Sequence, residues 1–276
     1  PIEDINITEP DTDTTPYNDK SVGSRTTYTT GRAVKAAAED VADQIIEHAA
    51  AMLDCDPAQL TLISGGQVGV KADVTDSPLV NRTITFKEAS LRAHYGVGGP
   101  IIGTHTFVFD GPPFDREGSK MKAVVFGNMG AYIYGVQGAA VDVDEVTGQV
   151  EVVKAWAAAD VGRAINPTNI EGQIQGGFAQ GMGYALFEEM VWDNGRLVNP
   201  TLMEYKVPGV KEVPKVQTII VEDPEPGGPF GAKGVGEPAM VGVAPAIANA
   251  IDDAIGDRPN SLPMTPEKVL DVLDPS

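Results

Sequence analysis

The chain has 276 residues, 42% of them hydrophobic, enough for one large domain or two small ones around a packed core. Its 20 Lys+Arg against 39 Asp+Glu give a formal net charge of −19, which argues against binding to nucleic-acid phosphates or to anionic membranes. A single cysteine, Cys55, rules out an internal disulfide, and the three dispersed histidines, His48, His94 and His105, have no metal-ligand spacing, so no protein-ligated metal is expected.

The N-terminal residues lack the basic and apolar regions of a signal peptide, and one cysteine makes a reduced cytoplasm the default location. Ile5-Asn6-Ile7 is a short strand candidate, followed by the polar loop Asp11 to Tyr17 and the turn Gly23-Ser24-Arg25-Thr26-Thr27. Val34, Ala38, Val41, Ile45, Ala49 and Met52 recur every three or four residues, which predicts an amphipathic helix over 31–53, ended by Asp54 and Pro57. Thr85 and Glu88 have capping-box spacing for a short helix to about Tyr95. The uncharged stretch from Ala123 to Val141 contains Gly127, Asn128, Gly130, Gly135, Gln137 and Gly138, so a buried strand and turn suit it better than a membrane helix. Alternation over 139–157 around Asp144 to Gly148 predicts a β-hairpin. A second long helix is expected from Thr168, with a Thr-x-x-Glu box to Glu171, as far as Met190. A third is expected from Pro238 to about Ile255, with a kink or restart near Pro245, and a last one after Thr265-Pro266. Strands and helices mix without βαβ regularity, so the expected class is α+β, with mixed sheets and packed helices.

The glycines concentrate in two places. Gly172/Gly176 and Gly177/Gly181 are pairs four apart, each on one helix face, where a neighbouring backbone or a flat ligand can come close; plain helix packing explains them equally well. Gln173, Gln175 and Gln180 between them offer uncharged donors and acceptors. The other cluster, Gly227 to Pro238, runs into a helix start and presents backbone N–H groups suited to an anion. It is no Walker A loop, because Lys233 is not followed by Ser or Thr. Pro238 at the first helical position makes Glu237 the N-cap, which reads either as a plain capping carboxylate or as an acid placed for a substrate. The Gly23 to Thr27 turn reads as an N-cap run or, with Arg25, as a diphosphate site.

Four stretches in order carry a resemblance: Asp11-Thr12-Asp13 through Gly23-Ser24-Arg25-Thr26-Thr27; Asp160-Val161-Gly162-Arg163-Ala164-Ile165-Asn166-Pro167; Gly172 to Gly181; and Gly231-Ala232-Lys233-Gly234-Val235-Gly236-Glu237-Pro238. Together they resemble the C-terminal half of the molybdenum-binding subunit of the xanthine oxidase (molybdenum hydroxylase) family. The resemblance implies a molybdenum cofactor whose pterin dithiolene holds the metal, in the molybdopterin cytosine dinucleotide form, with a terminal sulfido or selenido ligand. It implies cofactor contacts from Gly23, Ser24, Arg25, Thr26, Gln173, Lys233, Gly234, Val235 and Gly236, and Glu237 as the catalytic base. Tyr17 would face the substrate, and no protein side chain would ligate the metal. It implies water-derived hydroxylation of an electron-poor carbon in an N-heteroaromatic, nicotinate-like substrate, with hydride transfer to the metal centre. A purine or aldehyde hydroxylase and a non-catalytic assembly subunit are the alternatives. The short chain resembles the divided molybdenum subunit of nicotinate dehydrogenases, which implies a second molybdopterin subunit, a 2Fe-2S subunit and an FAD subunit as partners. Residues 1–135 would form a first cofactor-binding region completed by another chain, and residues 136–276 a second that carries Glu237.

Overall fold

The computed structural model describes residues 2–18, 21–108 and 130–274. The chain separates into two compact units, Pro1–Lys20 with Thr30–Val108, and Ser21–Thr29 with Phe109–Ser276. Both mix helices with sheets, and the class is α+β.

The first unit holds most of α1 (Thr26–Leu53), the antiparallel sheet β1 (Leu60–Ile63), β2 (Gln67–Val70) and β3 (Ile84–Thr85), and α2 (Phe86–Arg92). α1 starts five residues before the expected Gly31, and its buried stripe is Ile45, Ala49, Ala50 and Leu53, packed on Leu60, Val68 and Ala89. Val34 and Met52, expected on that stripe, are exposed. The stripe is set by where the short sheet meets the helix, at its C-terminal half. Asp54 ends α1 with a φ of 54°, and the capping box forms as expected: Glu88 N–H donates to Thr85 Oγ1 and Thr85 N–H to the Glu88 carboxylate. Ile5 to Ile7 form no strand. A 3-10 turn occupies Ile2–Asp4, Ile5 N–H donates back to Ile2 C=O at 3.1 Å, and Ile5 and Ile7 are exposed.

The second unit is built on β4 (Gly135–Val143), β5 (Val150–Asp160) and, further along the chain, β8 (Val216–Val221). The hairpin forms as read, its turn closed by Asp144 Oδ1, which accepts from Val146 N–H and Thr147 N–H. β4 is half-buried rather than buried, and the start of the uncharged stretch, Ala123 to Met129, lies outside the described residues. β8 lies parallel to β5, from Ala155↔Val216 to Asp160↔Val221, and a parallel pair requires a crossover. That crossover contains α3 (Pro167–Leu186) and the two-stranded ribbon of β6 (Trp192–Asp193) and β7 (Arg196–Leu197).

α3 begins one residue earlier than expected and ends four residues sooner. Its cap is Asn166, whose side chain accepts from Asn169 N–H at 3.1 Å, and not Thr168. Pro167 at the first position has no N–H to satisfy and a φ suited to the helix, so the start moves ahead of the Thr-x-x-Glu pair. Ile170, Ile174, Phe178, Met182 and Ala185 bury one face of α3 in the core, each large side chain contributing about 1.5–3 kcal/mol. The expected third helix is two: α4 (Pro238–Val241) and α5 (Val243–Ile255), restarted at Gly242 rather than at Pro245. α6 (Pro266–Leu273) follows Thr265-Pro266 as expected.

The glycine pairs of α3 divide between the two uses considered. At Gly177 and Gly181 an added Cβ would lie 2.6 Å from Ala239 Cβ and 2.6 Å from Val243 Cβ, so these glycines let α3 pack directly on α4 and α5. At Gly172 and Gly176 a Cβ would meet nothing within 4 Å. Gly172→Ala should therefore stabilise the protein by up to ~1 kcal/mol through helix propensity. Gly181→Ala should destabilise it by roughly 1–3 kcal/mol through overpacking. Urea unfolding of the two variants reads both signs. Among the described residues no helix is long and apolar enough to cross a membrane.

Candidate functional site

Strand β5 ends at Asp160, and the chain turns through Val161 and Gly162 beside the glycine-rich loop. Lys233 N–H donates to Val161 C=O at 2.9 Å and Arg163 N–H to Gly231 C=O at 2.9 Å, which zips the loop onto the strand end. Beneath this zip lie two buried charges. Lys233 Nζ donates to Asp160 Oδ2 at 2.5 Å, and Gly162 N–H donates to Asp160 Oδ1 at 2.9 Å. Burial alone would raise the Asp160 pKa, but the ammonium and the Gly162 N–H outweigh it and hold the carboxyl below its usual range. For Lys233 burial alone would lower the pKa; the bond to Asp160 outweighs it, with Asp223 and Glu225 adding to the rise. The Lys233 ammonium is thus turned to Asp160, although the residue lines the adjoining cavity.

That cavity, of about 710 Å³, belongs wholly to the second unit. One wall is the exposed face of α3, where Asn169, Gln173, Gly176 and Gln180 recur at helical spacing. The facing wall is the loop from Ala232 to Glu237, and Ser24, Thr26 and Thr27 line it from the start of α1. Gly234 makes the junction of loop and turn possible, because a Cβ there would sit 1.4 Å from Ser24 C=O.

Glu237 precedes α4 in helical conformation and makes no side-chain cap bond. Its carboxylate turns to the Gly23–Ser24 turn instead: Gly23 N–H donates to Oε1 at 3.1 Å and Ser24 Oγ to Oε2 at 3.4 Å. Glu237 N–H in turn donates to Ser24 Oγ at 2.8 Å.

Of the residues singled out from sequence, Ser24, Thr26, Gln173, Lys233, Gly234, Val235, Gly236 and Glu237 line this one cavity. Gly23 and Arg25 do not line it; Gly23 reaches it only through its bond to Glu237. Tyr17 lies in the other unit, 89% exposed, and is not part of the lining. Arg163, Asn166, Asn169 and Met240 also line the cavity. The first two stand in the Asp160 to Pro167 stretch that carries the resemblance, and Asn169 sits four residues before Gln173, so spacing on the helix face was the available signal.

The donor set is neutral amides, hydroxyls, backbone N–H groups and one exposed guanidinium. Amides offer both donors and acceptors to the edge of a heteroaromatic ring. The start of the 28-residue α1 and Arg163 favour an anionic group. Gly176 leaves the helix backbone bare toward the cavity, so a flat ring can approach it. Among the described residues no group of three His, Cys, Asp or Glu could hold a metal. The arrangement suits a flat, phosphate-bearing cofactor such as a metal-carrying pterin.

Fold and cavity together define an α+β domain shaped for such a cofactor. The family model of the molybdopterin cofactor-binding domain matches residues 1–214, and the chain belongs to that family. It is 32% identical to the xanthine dehydrogenase molybdenum-binding subunit of Escherichia coli O157:H7, over 98% of this chain and 33% of that one. It is 34% identical to the 6-hydroxypseudooxynicotine dehydrogenase complex subunit gamma of Paenarthrobacter nicotinovorans, over 97% of this chain and 32% of that one. Its fold matches CO dehydrogenase from Oligotropha carboxidovorans with a TM-score of 0.79 at 30% identity, covering 99% of this chain and 32% of that one. The chain spans about a third of the length of these relatives.

Proposed function

We propose that the chain is the part of a molybdenum hydroxylase that carries the catalytic base, and that the enzyme inserts water-derived oxygen at an electron-poor carbon of an N-heteroaromatic, nicotinate-like substrate. The observation that carries this reading is a single lining carboxylate, Glu237, in a cavity whose other polar lining is amides, hydroxyls, backbone and the cations Arg163 and Lys233. When bound, the molybdenum pterin supplies the two-electron oxidation. Glu237 takes up, on its carboxylate, the proton released by the water-derived nucleophile. Gln173 and the backbone of Gly234 to Gly236 orient the pterin, and Thr26, with the positive end of the α1 dipole, holds the phosphates. Arg163, which lines the cavity where Arg25 does not, would supply positive charge to the same phosphates.

Within this reading the cofactor is the cytosine dinucleotide, and it reaches both region 1–135 and region 136–276. A second molybdopterin chain completes the substrate pocket, and separate 2Fe-2S and FAD subunits carry electrons away in the reduced cytoplasm. The similarity to a subunit of a 6-hydroxypseudooxynicotine dehydrogenase complex supports a nicotinate-like substrate; the similarity to a xanthine dehydrogenase subunit favours a purine as the second reading. The complex co-purified with this chain should hold about one molybdenum and one cytidine nucleotide per chain and oxidise nicotinate in preference to hypoxanthine. Absence of molybdenum would leave only an assembly role, and the reverse preference would select the purine reading.

A further inference from the structure

We infer that Ser24 is a positioning residue for Glu237 rather than a contact to the cofactor; the inference rests on the reading of Glu237 as the base. The Ser24 hydroxyl is engaged on both sides by one residue, accepting from Glu237 N–H at 2.8 Å and donating its only proton to Oε2 at 3.4 Å. Gly23 N–H takes the other carboxylate oxygen at 3.1 Å. Two neighbouring residues of the turn therefore grip both oxygens of a side chain more than 200 positions away, and that grip limits where the exposed carboxylate can swing.

The backbone is arranged for this grip. Gly23 has a φ of 65° and Ser24 a φ of 52°, the left-handed region that a serine seldom enters. The Ser24 carbonyl is seated on Gly234, where an added Cβ would lie 1.4 Å from it, and its Oγ would stand 3.1 Å from a Cβ at Gly236. Loop and turn are packed backbone to backbone, and the unusual φ aims the hydroxyl and the Gly23 N–H at the same carboxylate. A general base works only within hydrogen-bond reach of its proton, and small misplacements are expensive in rate.

The test uses the purified complex with Ser24→Ala, Ser24→Gly, Glu237→Gln and the Ser24→Ala/Glu237→Gln double variant. The glycine variant accepts the left-handed backbone without strain, so it separates loss of the hydroxyl from loss of the turn. Both Ser24 variants should keep wild-type molybdenum and cytidine content, lower kcat roughly 10- to 100-fold and leave KM unchanged. Amide hydrogen exchange at Glu237 should quicken in both. Ser24→Ala should cause no further loss in the Glu237→Gln background. Loss of cofactor from the Ser24 variants, wild-type kcat in them, unchanged exchange at Glu237, or an additive loss in the double variant would each overturn the inference. Wild-type turnover in Glu237→Gln alone would instead overturn the base reading, and the exchange measurement would then still judge the grip by itself.

Discussion

Replacing Glu237 by Gln is expected to lower turnover of the purified complex by roughly 10²- to 10⁴-fold, the usual contribution of a positioned general base. Molybdenum and cytidine content should stay at the wild-type level. The reasoning is local. Glutamine matches the shape of glutamate, and its carbonyl oxygen can still accept from Gly23 N–H, as Oε1 does now. The Glu237 main-chain N–H keeps its bond to Ser24 Oγ, so the Gly23–Ser24 turn and the α4 start should stay in place. What is lost is the ability to take a proton. The cavity wall formed by Asn169, Gln173 and Gln180 is untouched, which is why cofactor content should not move. Near-normal turnover in Glu237→Gln, measured with the same metal loading, would remove Glu237 from the chemistry.

The largest effect on stability is expected at Lys233. Asp160 and Lys233 are each only 6% exposed and bond to each other in the second unit. Lys233→Met would leave the Asp160 carboxylate buried without its cation, at a cost of about 3–5 kcal/mol in unfolding free energy at pH 7. Asp160→Asn added to Lys233→Met should recover most of that loss, because the asparagine oxygen still accepts from Gly162 N–H while the uncompensated charge is gone.

The pH dependence has a definite sign. Asp160 has a lowered folded pKa, so its contribution is present above the unfolded value of about 3.9 and is lost as pH falls through the folded one. Lys233 has a raised folded pKa, so its contribution is present below the unfolded value of about 10.4 and is lost as pH rises through the folded one. The gap between wild type and Lys233→Met should therefore be flat from about pH 5 to pH 9 and shrink in acid. Urea unfolding at pH 7 and pH 3 measures it; equal gaps at both would mean that the loss does not come from the Asp160 charge.

Several local signals read correctly where the deciding contacts are close in sequence, although the Thr168 cap and the Pro245 restart, equally local, gave way to Asn166 and Gly242. The capping box at Thr85 and Glu88, the hairpin around Asp144 and the Thr265-Pro266 helix start all join residues within a few positions of one another. The reading slipped where a distant partner decided. Val34 and Met52 have the right period but lie outside the patch that β1 and β2 cover. Ile5 to Ile7 alternate like a strand yet pair with no strand among the described residues. The parallel pairing of β5 with β8 crosses a connection of more than fifty residues, and no pattern within either strand announces it.

The candidate site divides in the same way. The order of glycine, glutamine and Gly-Glu-Pro motifs along the chain carried the resemblance to the family that the comparison then showed, and the Gly-Val-Gly-Glu-Pro context marked Glu237 as a candidate, although its side chain does not cap α4. Three things came only from the tertiary structure. Gly177 and Gly181 serve helix packing, while Gly176 opens to the cavity. Lys233 points its charge at Asp160. Ser24 grips Glu237 from more than 200 residues away. A side chain's type says which bonds it can make; its partner is chosen by which strand end, loop or turn the folded chain brings within hydrogen-bond reach of it.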